Sequence, residues 1–295
     1  MATDAATGPL VSPPTRRRSD SVWSRLLRHK LFVVGFTLFT VVLLAAIFAD
    51  LLTTADPRQT AVRQRFQPPG ADFLFGTDNF GRSQWARVLY GAQISLAIGF
   101  GVVILNAVFG TLIGALAGYF RSLDNILMRI CDAFMAFPVI LLAIGIGAAL
   151  GPGSMNAVIA LAVVYTPRTA RIVRASVLVA REMEYVQAAR ASGASDWRIL
   201  RRHILPNCMA PLIVQLTFIF AYSVLSEAIL SFLGLGAQPP TPTWGAIISE
   251  GRQYIREAPW ITLIPGLVLA ATVLGLNLLG DGLRDVLDPR LKVQQ

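Results

Sequence analysis

Lysine, histidine and cysteine are almost absent from this chain, and their scarcity excludes several functions. The 295 residues contain two cysteines, two histidines and two lysines, Lys30 and Lys292. A phosphate-binding P-loop needs the sequence Gly-Lys-Ser/Thr, and neither lysine follows a glycine. His29 and His203 stand in basic stretches with no second metal ligand or paired acid at a useful spacing. The sequence therefore contains no ATP-hydrolysing motif, no metal-ligand pattern and no nucleophile–histidine–acid set, and we predict no catalytic residue.

Charge is scarce as well, and its scarcity excludes a soluble protein. Charged residues make up 15% of the chain, against about a quarter in typical globular proteins, and hydrophobic residues make up 54%. Apolar runs long enough to cross roughly 30 Å of hydrocarbon recur along the sequence. The net charge of +9 is not interleaved with aromatic residues as in nucleic-acid-binding modules. The sequence predicts an all-α integral membrane protein that does not bind nucleic acid.

Six transmembrane helices are predicted from these apolar runs. They cover about 31–49, 92–119, 130–150, 155–175, 208–233 and 259–280. Gly110, Gly114 and Gly118 form a small-residue ridge on the second helix, which predicts close packing against another helix. Cys131 and Cys208 lie far apart in sequence, so we expect free, buried thiols. Asp132 is expected to pair with Arg129 or with a neighbouring helix.

The distribution of basic residues predicts the orientation. With the N-terminus inside, the inner segments hold 19 of the 26 lysines and arginines and the outer segments hold 7. Such an excess follows the positive-inside rule. We therefore expect a multi-pass protein of the plasma (inner) membrane with both termini in the cytoplasm, and a basic tail over residues 1–30 that contacts membrane lipid.

A polar, basic segment interrupts the apolar runs at residues 181–207. Its sequence predicts a helix up to Gly193, a tight turn there because glycine reaches positive φ without strain, and a second helix from Ser195 to Arg202. Pro206 then ends that helix or begins the next one. The segment is either a docking element or an ordinary basic loop.

Three motifs carry a resemblance to a known family. Gln187-Ala188-Ala189, then Gly193, then Ile204-Leu205-Pro206 resembles the cytoplasmic coupling loop of ABC importer permeases, with Gln187 where that family usually has glutamate. Residues 75–82 (FGTDNFGR) and 280–290 (GDGLRDVLDPR) resemble the dipeptide, oligopeptide and nickel subgroup. The first of these two motifs either packs on the helix ends or helps to seat a binding protein.

The resemblance implies a type I ABC importer permease core that carries short peptides. It also implies a sister permease in a heterodimer, two ABC ATPase subunits that bind the ATP and magnesium, and an external substrate-binding protein. No cofactor is expected on this chain. A nickel-complex permease, an ion-coupled carrier working alone and a non-transporting scaffold are the alternatives. The coupling-loop residues implied are Glu184, Tyr185, Gln187, Ala188, Ala189, Gly193, Ala194, Asp196, Ile204 and Pro206.

Four polar residues in apolar surroundings are the pore or gate candidates: Glu227, Asn106, Gln215 and Asn277. A charge at the bilayer centre costs roughly 2.5–3.5 kcal/mol on insertion scales, so Glu227 should face protein or a water-filled path. It either lines the substrate route or outer gate, or pairs across a subunit interface. We divide the chain into a cytoplasmic tail (1–30), the first span and external loop (31–87), the permease core (88–283) and a C-terminal tail (284–295).

Overall fold

The computed structural model describes residues 22–287, and within that range every regular element is a helix. The predicted tails fall largely outside these residues. The α-helices are α1 (Val22–Arg28), α2 (Lys30–Ile47), α3 (Ala49–Leu52), α4 (Gln84–Leu105), α5 (Thr111–Tyr119), α6 (Arg121–Met135), α7 (Val139–Leu150), α8 (Ser154–Arg181), α9 (Glu184–Ala191), α10 (Asp196–Ile199), α11 (Met209–Phe232), α12 (Trp244–Gly251) and α13 (Trp260–Leu287).

Four continuous helical stretches are long and apolar enough to cross a membrane, and α6 with α7 adds a fifth if the bent pair counts as one span. The four are Lys30–Ile47, Gln84–Tyr119, Asp196–Phe232 and Trp260–Leu287. Helix α8 has 28 residues, which extends about 42 Å at 1.5 Å per residue, but its second half carries four arginines. By length and composition the described residues therefore hold four or five candidate spans, and the remaining predicted span, over about 155–175, lies within α8.

The third predicted span, over 130–150, is a right-angled pair of helices rather than one helix with the kink that Pro138 predicts. Helices α6 and α7 meet at an angle of 92° beside Pro138, which lacks a backbone N–H and disfavours helical geometry in the residue before it. Helix α6 is amphipathic and charged, and its acids pair with α8. Asp132 contacts Arg171 rather than Arg129, and Asp124 contacts Arg174. The charge-free run over 133–150 thus contains a right-angled corner between two helices.

The glycine ridge packs against α8, as predicted. A Cβ added at Gly114 would lie 2.4 Å from the backbone oxygen of Ala170, and one added at Gly118 would lie 2.8 Å from Val177. Gly110 belongs to a π-helical turn, Asn106–Gly110, that joins α4 to α5. Because these positions lack side chains, α5 and α8 approach at backbone distance.

The middle of the bundle is formed by α4, α8 and α11. Val102, Leu161, Ile219 and Leu230 come from these three helices and are fully buried together. Lipid is as apolar as these side chains, so close packing rather than water exclusion stabilises the contact. Helix α13 packs on α11 and on α2, and the two buried cysteines are free, as predicted.

Candidate coupling segment, external cap and buried polar residues

The segment 181–207, here called the coupling segment, forms the predicted helix–turn–helix. Gly193 has φ +77°, and its N–H donates to the carbonyl of Arg190 at 3.0 Å while Ala194 N–H donates to Ala189 at 3.1 Å. These two bonds satisfy carbonyls at the end of α9, as in glycine-terminated helices generally. The prediction of a tight turn at Gly193 is confirmed.

The second half of the segment differs from the predicted helix over 195–202. Helix α10 ends at Ile199, a π-helical turn follows over Leu200–Ile204, and a 3₁₀ turn over Leu205–Cys208 leads directly into α11. Pro206 stands in that 3₁₀ turn, so it begins the next helix rather than ending the preceding one. The chain thus changes from α-helical to π-helical and then to 3₁₀ geometry between Asp196 and the start of α11.

One face of the coupling segment is anchored to the bundle by apolar packing. Val186, Ile199 and Ile204 are fully buried in a cluster with Val173 and Val177 of α8. Tyr119 O–H at the end of α5 donates to Asp196 Oδ1 at 2.6 Å. Burying such side chains stabilises a contact by about 1.5–3 kcal/mol each where water is excluded, so this face fixes the segment to α5 and α8.

The other face of the segment is free in this chain. Most of the predicted coupling residues are exposed: Glu184, Tyr185, Gln187, Ala188, Gly193, Asp196 and Pro206. Ala189 and Ala194 are half-buried. Ile204 is fully buried, so within this chain its side chain contributes to the apolar cluster that anchors the segment rather than to the exposed face.

Trp197 belongs to the exposed face, and the sequence analysis missed it. Its side chain is 61% exposed on α10, between the buried Ile199 and the Gly193 turn. A large exposed aromatic side chain among polar neighbours is typical of the centre of a protein interface. Trp197 interrupts a polar stretch of the sequence, and this pattern alone could have indicated an exposed aromatic side chain. The family motif, which is defined by the glycine and proline spacing, does not include it.

At the opposite end of the bundle, residues 53–83 and α12 form a second substructure, here called the external cap because the distribution of basic residues predicts that this end faces outward. Asp78 is fully buried and Arg87 is 2% exposed. Asp78 Oδ2 accepts from Arg82 Nε at 2.6 Å and from Arg87 Nη1 at 2.7 Å. Glu250 of α12 accepts from the same two arginines at 2.6–3.1 Å. Two acids and two arginines thus join the loop, α4 and α12.

The threonine of the same motif holds the rest of the cap. The Thr77 hydroxyl accepts from the N–H of Gln67 at 2.8 Å, and the carbonyl of Thr77 accepts from the indole N–H of Trp260 at 3.1 Å. Gln84, at the start of α4, donates to the carbonyl of Ile261 at 2.9 Å. The motif at residues 75–82 therefore packs on the helix ends, which is one of its two predicted roles.

Glu227 is fully buried inside this chain. Its Oε1 accepts from the Ser231 hydroxyl at 2.6 Å, and the hydroxyls of Ser95 and Thr243, from α4 and from the residue preceding α12, approach the same carboxyl group. With no exposed surface, Glu227 offers nothing to a neighbouring subunit, so the alternative of pairing across an interface lacks support. Its site instead links α11 to the external cap.

The other three gate candidates do not gather around Glu227. Asn106 donates to the carbonyl of Val102 at 3.0 Å and accepts from Thr169 at 3.4 Å, which makes it a packing residue of the α4–α8 contact. Asn277 donates to the carbonyl of Val273 on its own helix at 2.9 Å. Gln215 borders a cavity of about 830 Å³ beside the coupling segment. The structure therefore separates the four residues rather than assembling a single gate.

Comparison with known proteins agrees with these features. A family described as "binding-protein-dependent transport system inner membrane component" matches residues 110–293, and one described as "N-terminal TM domain of oligopeptide transport permease C" matches residues 18–69. The chain belongs to the binding-protein-dependent transport family and is an ABC importer permease. Permeases of this family are multi-pass inner-membrane proteins that work with ATPase and binding-protein components.

The relatives at this level of similarity are permeases of nearly the same length. A protein of Brucella abortus named as a peptide transport system permease is 58% identical, over 92% of this chain and 91% of that protein. The dipeptide transport system permease protein DppC of Alkalihalophilus pseudofirmus is 46% identical over 95% of both. The glutathione transport system permease protein GsiD of Pectobacterium atrosepticum is 44% identical over 92% and 90%.

A solved structure supports the fold. A chain of the MetNI methionine ABC transporter in inward-facing conformations has a TM-score of 0.56 and 23% identity, and covers 68% of this chain and 95% of that one. The prediction of a type I importer core is confirmed.

Proposed function

We propose that this chain is one of two non-catalytic permease subunits of an ABC importer for short peptides. The relatives above are named for peptide, dipeptide and glutathione transport, and glutathione is itself a tripeptide. The shared chemistry of these cargoes is a short backbone with charged ends and variable side chains. A sister permease completes the pore in a heterodimer.

The observation that carries the proposal is the coupling segment. One face is buried against α5 and α8, while the face that bears Gln187, Ala188 and Trp197 is exposed. A rigidly mounted polar surface with a central aromatic side chain suits docking into a cleft of an ATPase subunit. The excess of basic residues on this side favours a cytoplasmic location for this end of the bundle and for both termini.

Energy then reaches the pore through that contact. ATP and magnesium bind to the two ATPase subunits, whose closure draws the two coupling segments together. Because the segment is packed on α8 and continues into α11, its movement is transmitted to the helices that line the interior. The external cap faces the binding protein, which delivers peptide when the pore opens outward; ATP hydrolysis returns it to the inward-open state.

Reconstitution tests the proposal. The chain is placed in liposomes with its sister permease, the two ATPases and the binding protein, and uptake of a labelled dipeptide is measured with and without internal ATP. We expect ATP-dependent uptake that unlabelled dipeptide suppresses and a nickel–histidine complex does not. Uptake driven by an ion gradient without ATP would support a stand-alone carrier, and suppression by the nickel complex alone would support the nickel alternative.

A further inference from the structure

The cavity beside the coupling segment lies where the ends of α8, α11 and α13 diverge. Its volume is about 830 Å³, within the range of small-ligand sites. Most of its walls are apolar, for example Val179 of α8 and Phe218 of α11, and one residue from the coupling segment itself, Tyr185, contributes to the rim.

The cavity is the inner end of a stripe that runs along α11. Pro211, Gln215 and Phe218 line the cavity, and Tyr222, Leu225 and Ile229 continue outward with exposed side chains. These six positions are spaced by three or four residues, so they lie on one face of the helix. One uncovered face of α11 therefore extends from the external half of the bundle to the cavity.

Polar groups in the cavity are few, and three of them are available to a ligand. Arg284 of α13 is the only charged residue among those that line it, and within residues 22–287 no acid lies close enough to pair with it. Gln215 and Tyr185 likewise make no side-chain hydrogen bond to the described part of the chain. Ser176 and Asn207 differ, since each donates to the backbone carbonyl four residues before it.

We propose that this cavity is the cytoplasmic release site for the transported peptide, where Arg284 binds the terminal carboxylate and Gln215 and Tyr185 hydrogen-bond to its backbone. The assignment rests on the proposed function as a peptide permease. Every peptide ends in a carboxylate unless it is amidated, so one guanidinium recognises the feature that all cargoes share. Apolar walls without further charges accept varied side chains.

The exposure of Arg284 suits release rather than capture. Ion pairs between solvent-exposed groups contribute little, so the peptide is held briefly and leaves. An anionic lipid headgroup carries the same kind of charge and is the competing occupant. The experiment must therefore vary the carboxylate of the peptide and the charge of the lipid independently.

A cysteine reporter makes the site measurable without transport. Ala175 lines the cavity and is exposed, whereas the natural Cys131 and Cys208 are 4% and 2% exposed. The complete transporter, with Ala175→Cys in this subunit, is placed in nanodiscs of neutral lipid and treated with a water-soluble thiol reagent. The labelling rate is measured with trialanine, with trialanine amide and without peptide. Ser122→Cys, exposed on α6, is the matched control reporter.

We expect trialanine to slow labelling at position 175 several-fold, trialanine amide to have little effect, and position 122 to be unaffected by either. Arg284→Gln should raise the half-protecting trialanine concentration about 2- to 5-fold, as expected for loss of an exposed ion pair, and Arg284→Lys should retain part of the protection. Arg129→Gln, on the exposed side of α6, should change nothing.

Equal protection by peptide and amide, or no protection by either, would overturn the assignment. Protection that appears only when anionic lipid replaces neutral lipid, independent of peptide, would assign the cavity to lipid instead. Trialanine uptake by the wild-type complex is measured in parallel. Intact uptake without carboxylate-dependent protection refutes the release site alone, whereas absent uptake refutes the proposed peptide function.

Discussion

The two ends of the bundle are held together by different forces. The external cap depends on four charged side chains, Asp78, Arg82, Arg87 and Glu250, that contact one another across three segments of chain. Among the described residues, the anchored face of the coupling segment makes no ion pair to the bundle. It is held by packed aliphatic residues and by two hydrogen bonds, one from Tyr119 to Asp196 and one from Arg181 to the carbonyl of Gly118.

This difference suggests a division of labour. Directional bonds between buried charges fix one geometry, because breaking any of them leaves a desolvated charge. Aliphatic packing against a helix allows the packed elements to move as a body, since it carries no directional requirement. We therefore expect the cap to keep its shape while the coupling segment moves together with α5, α8 and the start of α11. The predictions below test each half of this contrast.

The largest expected effect is in the cap. Arg87→Met leaves the fully buried Asp78 with one cation instead of two, and loss of one partner from a buried ion pair costs about 3–5 kcal/mol. We expect a marked fall in the thermal unfolding temperature of the purified chain and rapid proteolysis within residues 53–83. Arg58→Met, at an exposed position of the same loop, is the control. Wild-type resistance in Arg87→Met would show that the ion network does not hold the cap.

Gly193→Pro tests the turn of the coupling segment. Proline fixes φ near −65°, whereas Gly193 has φ +77°, so the turn must rearrange, and we expect at least a tenfold loss of ATPase co-purification, corresponding to about 1.4 kcal/mol or more. Gly193→Asn is the matched variant, because asparagine tolerates this region and a Cβ there meets no atom within 4 Å. Equal retention of the ATPase by both variants would contradict a docking role for this turn.

Trp197→Ala tests the exposed face without disturbing the anchored one. Truncating an aromatic side chain at the centre of an interface typically costs about 2 kcal/mol, so ATPase affinity should fall roughly 30-fold while thermal stability stays near wild type. Trp23→Ala removes an indole that is 70% exposed on α1 and should leave ATPase affinity unchanged. If both substitutions behave alike, Trp197 does not contact the ATPase.

Glu227→Gln should have the smallest effect. The amide can still accept from Ser231 and remains within reach of Ser95 and Thr243, so we expect a stability change below about 1 kcal/mol and ATP-driven uptake close to wild type. Glu257→Gln, at an exposed position, provides the comparison. Abolished uptake in a stably folded Glu227→Gln protein would mean that the charge itself is required, as in an ion-coupled carrier.

The sequence predicted the parts of the fold that depend on local chemistry. The turn at Gly193 follows from the freedom of glycine, and the contact of α5 with α8 follows from three glycines at a spacing of four. The right angle at Pro138 was missed because the charge-free run over 133–150 joins the last turn of α6 to the whole of α7 and so looks like one membrane span. Proline alone does not distinguish a slight kink from a corner, and the ion pairs of α6 with α8 that stabilise the corner are distant in sequence.

The candidate sites, like the fold, could be predicted where they depend on a local motif but not where they depend on contacts between distant segments. The motif at residues 75–82 was recognised, but Glu250, which completes its ion network, lies far along the chain in a segment with no motif of its own. Arg284 was part of a recognised C-terminal motif, yet its place in a cavity with Gln215 and Tyr185 depends on how three helices diverge. Pairwise geometry of this kind has no signature in the spacing of residues along one chain.

The bare contact between α5 and α8 has a mechanical consequence. With glycine at positions 110, 114 and 118, no side chain separates the two backbones there, and neither helix can slide along the other without a steric clash. We therefore expect a tilt applied at the inner end of α8 to move α5 and α8 together, because two packed helices bend less than one. The movement of the coupling segment should then reach the middle of the bilayer with little loss to helix bending.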